Sequence, residues 1–278
     1  MKVLNQILFP TDFSENAKAA FLYTLQMAKE TGASVKVVHI YRGDFGVPVP
    51  EIIGYQMLEA RKDEANLKMS EFLKLAATDN FKTVSLSSIV EMGLATDVVA
   101  ELSKKEELAI DLAIMGTKGE HNAIEVVFGS VTTAVIANAG CPVLAIPEGA
   151  VYKAIKSIAY ASDFKSDNAE SLQEAADIAA LLGAELHCVH VYTKAKDKEN
   201  ALAPFVALTK NISNIKIQVT EIASDSVAHG LDQYVHENGI QLILMSRPHR
   251  GLIERLFHRS VTKQVALYIT KPLMVFRK

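Results

Sequence analysis

Cysteine is scarce in this chain of 278 residues: Cys141 and Cys188 are the only two, and they show no framework spacing. That scarcity excludes a disulfide-stapled secreted fold and suits a reducing cytoplasm. No run approaches the ~18 apolar residues that a membrane-spanning helix needs. The amino-terminal run Val3-Leu4-Asn5-Gln6-Ile7 is too short for a signal h-region, and no A-x-A-like cleavage site follows it. A cytoplasmic location without a membrane partner is therefore expected. A basic excess is missing too. The net charge is −3, and neither half carries the patterned basic stripe of a nucleic-acid binder, so no nucleic-acid partner is expected. The motifs G-x-x-x-x-G-K-[ST], G-x-G-x-x-G and G-x-S-x-G are all absent, which removes the P-loop, the dinucleotide fingerprint and the nucleophile elbow. No catalytic constellation and no metal-ligand cluster is legible.

What is present is a repeat. The segment QILFPTDFSENAKAAFLYTLQMAKETGASVKVVHIY returns from Ser157 as SIAYASDFKSDNAESLQEAADIAALLGAELHCVHVY. Ile7, Asp12, Phe13, Gly32, His39 and Tyr41 recur as Ile158, Asp163, Phe164, Gly183, His190 and Tyr192, all at an offset of 151. Near the end of each half the offset falls to 130, so the second half is 21 residues shorter in its middle. A spacing above 100 residues marks duplicated domains rather than a solenoid. The length suits two domains, at roughly 100–200 residues each. The boundary is read near Pro147-Glu148-Gly149, giving domains 1–148 and 149–278. Their charges differ: −6 from 13 Lys and Arg against 19 Asp and Glu, then +3 from 16 against 13.

Strand-like runs and helical stripes alternate within each half. Ile7-Leu8-Phe9, Val35–Val38, Val84–Val90, Leu112–Met115 and Val143–Ile146 read as strands. Residues 15–31 carry Ala17, Phe21, Thr24 and Ala28 on one helical stripe, with Ser14 as N-cap and Gly32 as the stop. Leu58, Ala65, Met69, Phe72 and Ala76 mark a second helix, and further helices are predicted at about 95–107 and 130–138. Such alternation requires crossover connections. The predicted fold is α/β: two tandem, doubly wound parallel-sheet domains of flavodoxin- or Rossmann-like type. Ligands of such sheets bind at the carboxyl ends of strands, where strand order reverses.

The strongest chemical signal follows a strand. Gly116-Thr117-Lys118-Gly119 is followed after nine residues by Gly129-Ser130. Glycines let backbone N–H groups approach an anion. A serine opening a helix adds free N–H groups, the helix dipole and a hydroxyl. Together these make a phosphate cradle that needs no basic side chain. Alternatively the glycines only close a tight strand-to-helix turn, with Ser130 as N-cap. Spacing alone leaves both readings open.

With Gly116, Gly119, Gly129, Ser130, the opening Pro10-Thr11-Asp12 and the strand through Val38-His39-Ile40, the chain resembles the universal stress protein family. The resemblance covers nearly the whole chain in two copies. It implies that Asp12 lies near the ribose and a metal-bound phosphate edge, with Pro10 and Thr11 beside it among the cofactor-binding residues. It also implies that Ile40 meets the adenine edge through its backbone and that Met115 packs on the nucleoside. Gly116, Gly119, Gly129, Ser130 and Val131 would then hold the phosphates. ATP with Mg2+ is the implied cofactor, at one site in the first half. The family's pairing through its last apolar strand implies an internal pseudo-dimer of Val143–Ile146 with Leu273–Phe276, with a dimer of chains also compatible.

The second half departs at each diagnostic glycine. Ser246, His249 and Arg259 stand where Gly116, Gly119 and Gly129 stand in the first half, and Ala161-Ser162 replaces Pro10-Thr11. Arg247, His249, Arg250, Arg255, His258 and Arg259 crowd into thirteen residues, as an interface face or a site for another anion. His187-Cys188-Val189-His190 imitates a metal motif, but on a strand the two histidines face opposite ways. His39 and His190 are read as structural hydrogen-bonding residues, and Cys141 as a buried small residue. The expected function is a stress-response, nucleotide-dependent switch with at most slow hydrolysis. A protein-interaction scaffold with vestigial sites is the alternative.

Overall fold

The computed structural model describes residues 3–44, 49–117, 130–162, 164, 169–193, 202–247 and 271–277. Strand β1 (Gln6–Thr11) buries Ile7, Leu8 and Phe9 in succession, each 0% exposed. Consecutive rather than alternating burial is what a central strand of a parallel sheet shows when helices cover both faces. Helix α1 (Glu15–Thr31) begins where Ser14 Oγ accepts the Ala17 N–H (3.1 Å) and ends where Gly32 adopts φ 76°. Its buried residues include Ala17, Phe21, Thr24 and Ala28, the stripe read from the sequence. Thr24 is tolerated there because its hydroxyl donates to Ala20 O (2.8 Å).

Strand β2 (Ser34–Tyr41) lies parallel to β1, from Gln6↔Ser34 to Thr11↔His39. Helix α2 (Glu51–Leu73) leads through a 3-10 turn at Lys74–Ala76 to β3 (Leu86–Met92), parallel to β2. Helix α3 (Ala95–Leu102), β4 (Leu112–Gly116), α4 (Ser130–Asn138) and β5 (Val143–Ile146) follow. Strand order in this half runs β3-β2-β1-β4. Phe9, Phe21 and Phe72 join β1, α1 and α2, with ring centroids 4.8–6.4 Å apart. A fully buried Phe stabilises a fold by roughly 1.5–3 kcal/mol.

Two elements differ from the sequence expectation. The strand expected from Val84 starts at Leu86, because the Val84 N–H is tied back to Phe81 O in a turn (2.9 Å). The helix expected to reach residue 107 stops at Leu102. Ser103 Oγ donates to Ala100 O (2.7 Å), and after Lys105 the chain makes a separate 3-10 turn at Glu106–Leu108. The charged run Lys104-Lys105-Glu106-Glu107 has no apolar stripe to hold it on the sheet.

The second half repeats the plan with β6 (Ser157–Ala161), α5 (Ala169–Leu181), β7 (Glu185–Tyr192), α6 (Leu202–Thr209), β8 (Ile217–Ala223), α7 (Val227–Glu237), β9 (Leu242–Arg247) and β10 (Leu273–Arg277). Its strand order is β10-β9-β6-β7-β8, all parallel. The chain divides into two compact units, one of Leu4–Gly116 with Ser130–Val143, the other containing Leu144–Lys278. The shortening of the second half falls where α6 has 8 residues against 23 in α2.

Candidate functional site

The order β3-β2-β1-β4 places the first half's switch point between β1 and β4. Their ladder registers Ile7 with Leu112 and Leu8 with Ala113. The last three residues of each strand run on past it, carrying Pro10 and Thr11 on one side and Met115 and Gly116 on the other. β2 flanks β1 with Pro10 beside Val38 and Thr11 beside His39, so Ile40 is one residue further along the same edge. Helix α4 starts at Ser130-Val131, and its first turn is tied to the end of β4 by Thr132 Oγ1, which donates to Gly116 O (3.4 Å). Pro10, Thr11, Asp12, Ile40, Met115, Gly116, Ser130 and Val131 therefore gather at one end of one sheet. Gly119 and Gly129 lie outside the described residues.

Local bonding explains how Asp12 is presented. Thr11 is buried; its Oγ1 accepts the Phe13 N–H (3.0 Å) and its carbonyl accepts from His39 Nδ1 (2.9 Å). Phe13 adopts φ 64° and stacks on His39 with ring centroids 4.2 Å apart. Between these two pinned residues Asp12 is exposed. Its Oδ1 accepts the Ser14 N–H (3.0 Å) at the start of α1, so one carboxylate oxygen is oriented by backbone. Met115 is 6% exposed, and Ser130 is exposed at the α4 N-terminus. The first N–H groups of a helix have no partner within it. An exposed carboxylate and a serine-led helix N-terminus at the carboxyl ends of neighbouring strands form a set that fits a phosphate chain with a divalent cation.

Gly116 has a second role that spacing did not reveal. A Cβ there would lie 3.1 Å from Asn16 Nδ2 and 3.4 Å from Ala20 Cβ, so the glycine also lets α1 pack on the end of β4. Asn16 thereby enters the site's surroundings, and no sequence signal marked it. The Phe13–His39 pair was visible only as two repeated residues.

The second half builds the same pinned turn. Phe164 adopts φ 58° and gives its N–H to Ser162 Oγ (2.9 Å); His190 Nδ1 donates to Ser162 O (3.0 Å). Ser246, in place of Gly116, is 3% exposed on β9. Asp163, His249, Arg259 and Ser260 lie outside the described residues. The two histidines of HCVH part as expected. His187 Nδ1 meets Tyr234 Oη of α7 (2.9 Å), while His190 lies against Phe164. Cys141 is buried, and burial pushes its thiol up to about 12.

The universal stress protein family matches residues 4–147 and again 154–277. The chain belongs to that family. Universal stress protein Slr1230 of Synechocystis is 23% identical across 99% of this chain and 100% of its own length. Universal stress protein MJ0531 of Methanocaldococcus jannaschii is 28% identical over 51% of this chain and 81% of its own. A solved universal stress protein from Archaeoglobus fulgidus superposes with a TM-score of 0.72 at 17% identity, covering 98% of each chain. That last likeness is one of fold. No described helix is long and apolar enough to cross a membrane.

Proposed function

We propose that this universal stress protein binds ATP with Mg2+ at one site, in residues 1–148, and acts as a nucleotide-dependent cytoplasmic switch. The reading rests on one observation. Asp12 and the Ser130 helix N-terminus meet the ends of β1 and β4 at the switch point, in the half that keeps Gly116, Gly119 and Gly129. Mg2+ would supply charge neutralisation between the phosphates and the Asp12 carboxylate. Ile40 would offer backbone to the base, and Met115 and Pro10 would give apolar contact. The motif contributes no general base and no arginine finger, so any hydrolysis is slow.

Calorimetric titration of the full chain with ATP in the presence of Mg2+ should give a stoichiometry near one. Two equivalent sites, or none, would refute the proposal. Gly129→Arg, which copies the second half's Arg259, should abolish binding in a folded protein by filling phosphate volume. The scaffold reading draws on the second half's lost glycines, and it takes over if no nucleotide binds at all. We also propose that residues 1–148 and 149–278 act as separate domains whose last apolar strands cover each other's sheet edge.

A further inference from the structure

Asn16 stands beside the nucleotide site proposed for the first half, and the glycine motif gives it no part there. It lies in the first turn of α1. The chain around it is fixed: Asp12 Oδ1 accepts the Ser14 N–H (3.0 Å), and Ser14 Oγ accepts the Ala17 N–H (3.1 Å). The side chain is half-buried rather than splayed into solvent. Its carboxamide lies over the last residue of β4, where a Cβ on Gly116 would stand 3.1 Å from Asn16 Nδ2. A side chain at position 116 would therefore displace it. Gly116 is also where the glycine loop departs, and its carbonyl accepts from Thr132 Oγ1 in the first turn of α4 (3.4 Å). The carboxamide thus sits between the Asp12 turn after β1 and the end of β4, at the switch point.

The chemistry of the group decides its role. A carboxamide NH2 donates hydrogen bonds and carries no charge. Phosphate oxygens accept such bonds, and a bond to a charged oxygen is roughly twice as strong as one between neutral groups. A carboxylate of the same size offers acceptors only, and it would add a second negative charge close to Asp12. The second half makes that exchange. At the offset of 151, Asp167 stands for Asn16, and Ser246 stands for Gly116. Both partners of the contact thus change in the half that has lost the glycines. The nearest cation along α1 is otherwise occupied, since Lys18 Nζ pairs with Glu15 (2.6 Å). We propose that the Asn16 carboxamide donates to the phosphate chain of ATP and so helps the site distinguish nucleotide from nucleoside. The inference rests on the ATP reading of the first half.

The test is calorimetry of the full chain with ATP and Mg2+ and, separately, with adenosine, alongside urea denaturation. Asn16→Asp, which is isosteric, should weaken ATP binding at least about tenfold. Adenosine affinity and the denaturation midpoint should stay as in the parent. Asn16→Ala removes the donor without adding charge, so it should weaken ATP binding less. Added salt should narrow the deficit of Asn16→Asp, because screening weakens the repulsion. In NMR spectra of the unaltered chain, the Asn16 side-chain amide signals should shift with ATP and not with adenosine, which needs no variant to fold. The proposal fails if those signals ignore ATP, or if Asn16→Asp loses ATP and adenosine in equal proportion, as a merely structural role would require. A parent that binds no ATP removes the site and this role together. A parent that binds ATP no better than Asn16→Asp does removes this role alone.

Discussion

Phe13 and Phe164 both sit in left-handed backbone, at φ 64° and 58°, which costs an L-residue roughly 1–2 kcal/mol. The Phe13 ring offsets this by stacking on His39 and meeting Phe72 edge-on at 5.6 Å. Strain kept beside Asp12 is what one expects where a turn must aim a functional group. Phe13→Ala loses the ring and keeps the strain, whereas Phe13→Gly loses the ring and relieves it. Chemical denaturation should therefore show both variants destabilised, with Gly more stable than Ala by about 1 kcal/mol. Glu185 makes a second residue-scale case. Bonds from Lys216 and His187 lower its carboxyl from 4.5 to about 2. A depressed folded-state value stabilises the fold fully above about pH 4.5, and the contribution is lost as pH falls toward 2. The side chain is 29% exposed, so the effect is limited to about 1 kcal/mol. Comparing Glu185→Gln with the parent by denaturation at about pH 6 and about pH 3 should show a gap that narrows in acid. Repetition in the sequence pointed to Phe13 and His39. Their conformation was not legible, because phenylalanine is a poor marker of left-handed backbone.

At the scale of elements, α1 was legible to its ends, since Ser14, the apolar stripe and Gly32 all act locally. α3 was overestimated, because the run Lys104-Lys105-Glu106-Glu107 favours helix while giving the sheet nothing to bury. The contact between α1 and β4 was invisible beforehand, as it joins residues a hundred positions apart. It carries its own prediction. Gly116→Ala should press the new methyl against Asn16 and Ala20 and destabilise the fold by about 1 kcal/mol through overpacking. Urea denaturation measures this. An unchanged midpoint would mean that α1 yields freely.

For the molecule as a whole, the two halves of the sequence carry net charges of −6 and +3. If the basic cluster regulates the first half, changing Arg247, Arg250, Arg255 and Arg259 together to Ala should alter ATP affinity about 5–150-fold. Equal affinity by calorimetry would make the cluster mere surface. Duplication, strand and helix alternation and the asymmetry of the glycine motifs are properties of the sequence by itself, because each rests on local spacing. Tertiary structure alone brought Asp12, Gly116 and Ser130 to the carboxyl ends of β1 and β4 and set His190 in register with Glu221. Strand order and register decide such neighbours, and they depend on contacts between segments that no local pattern encodes.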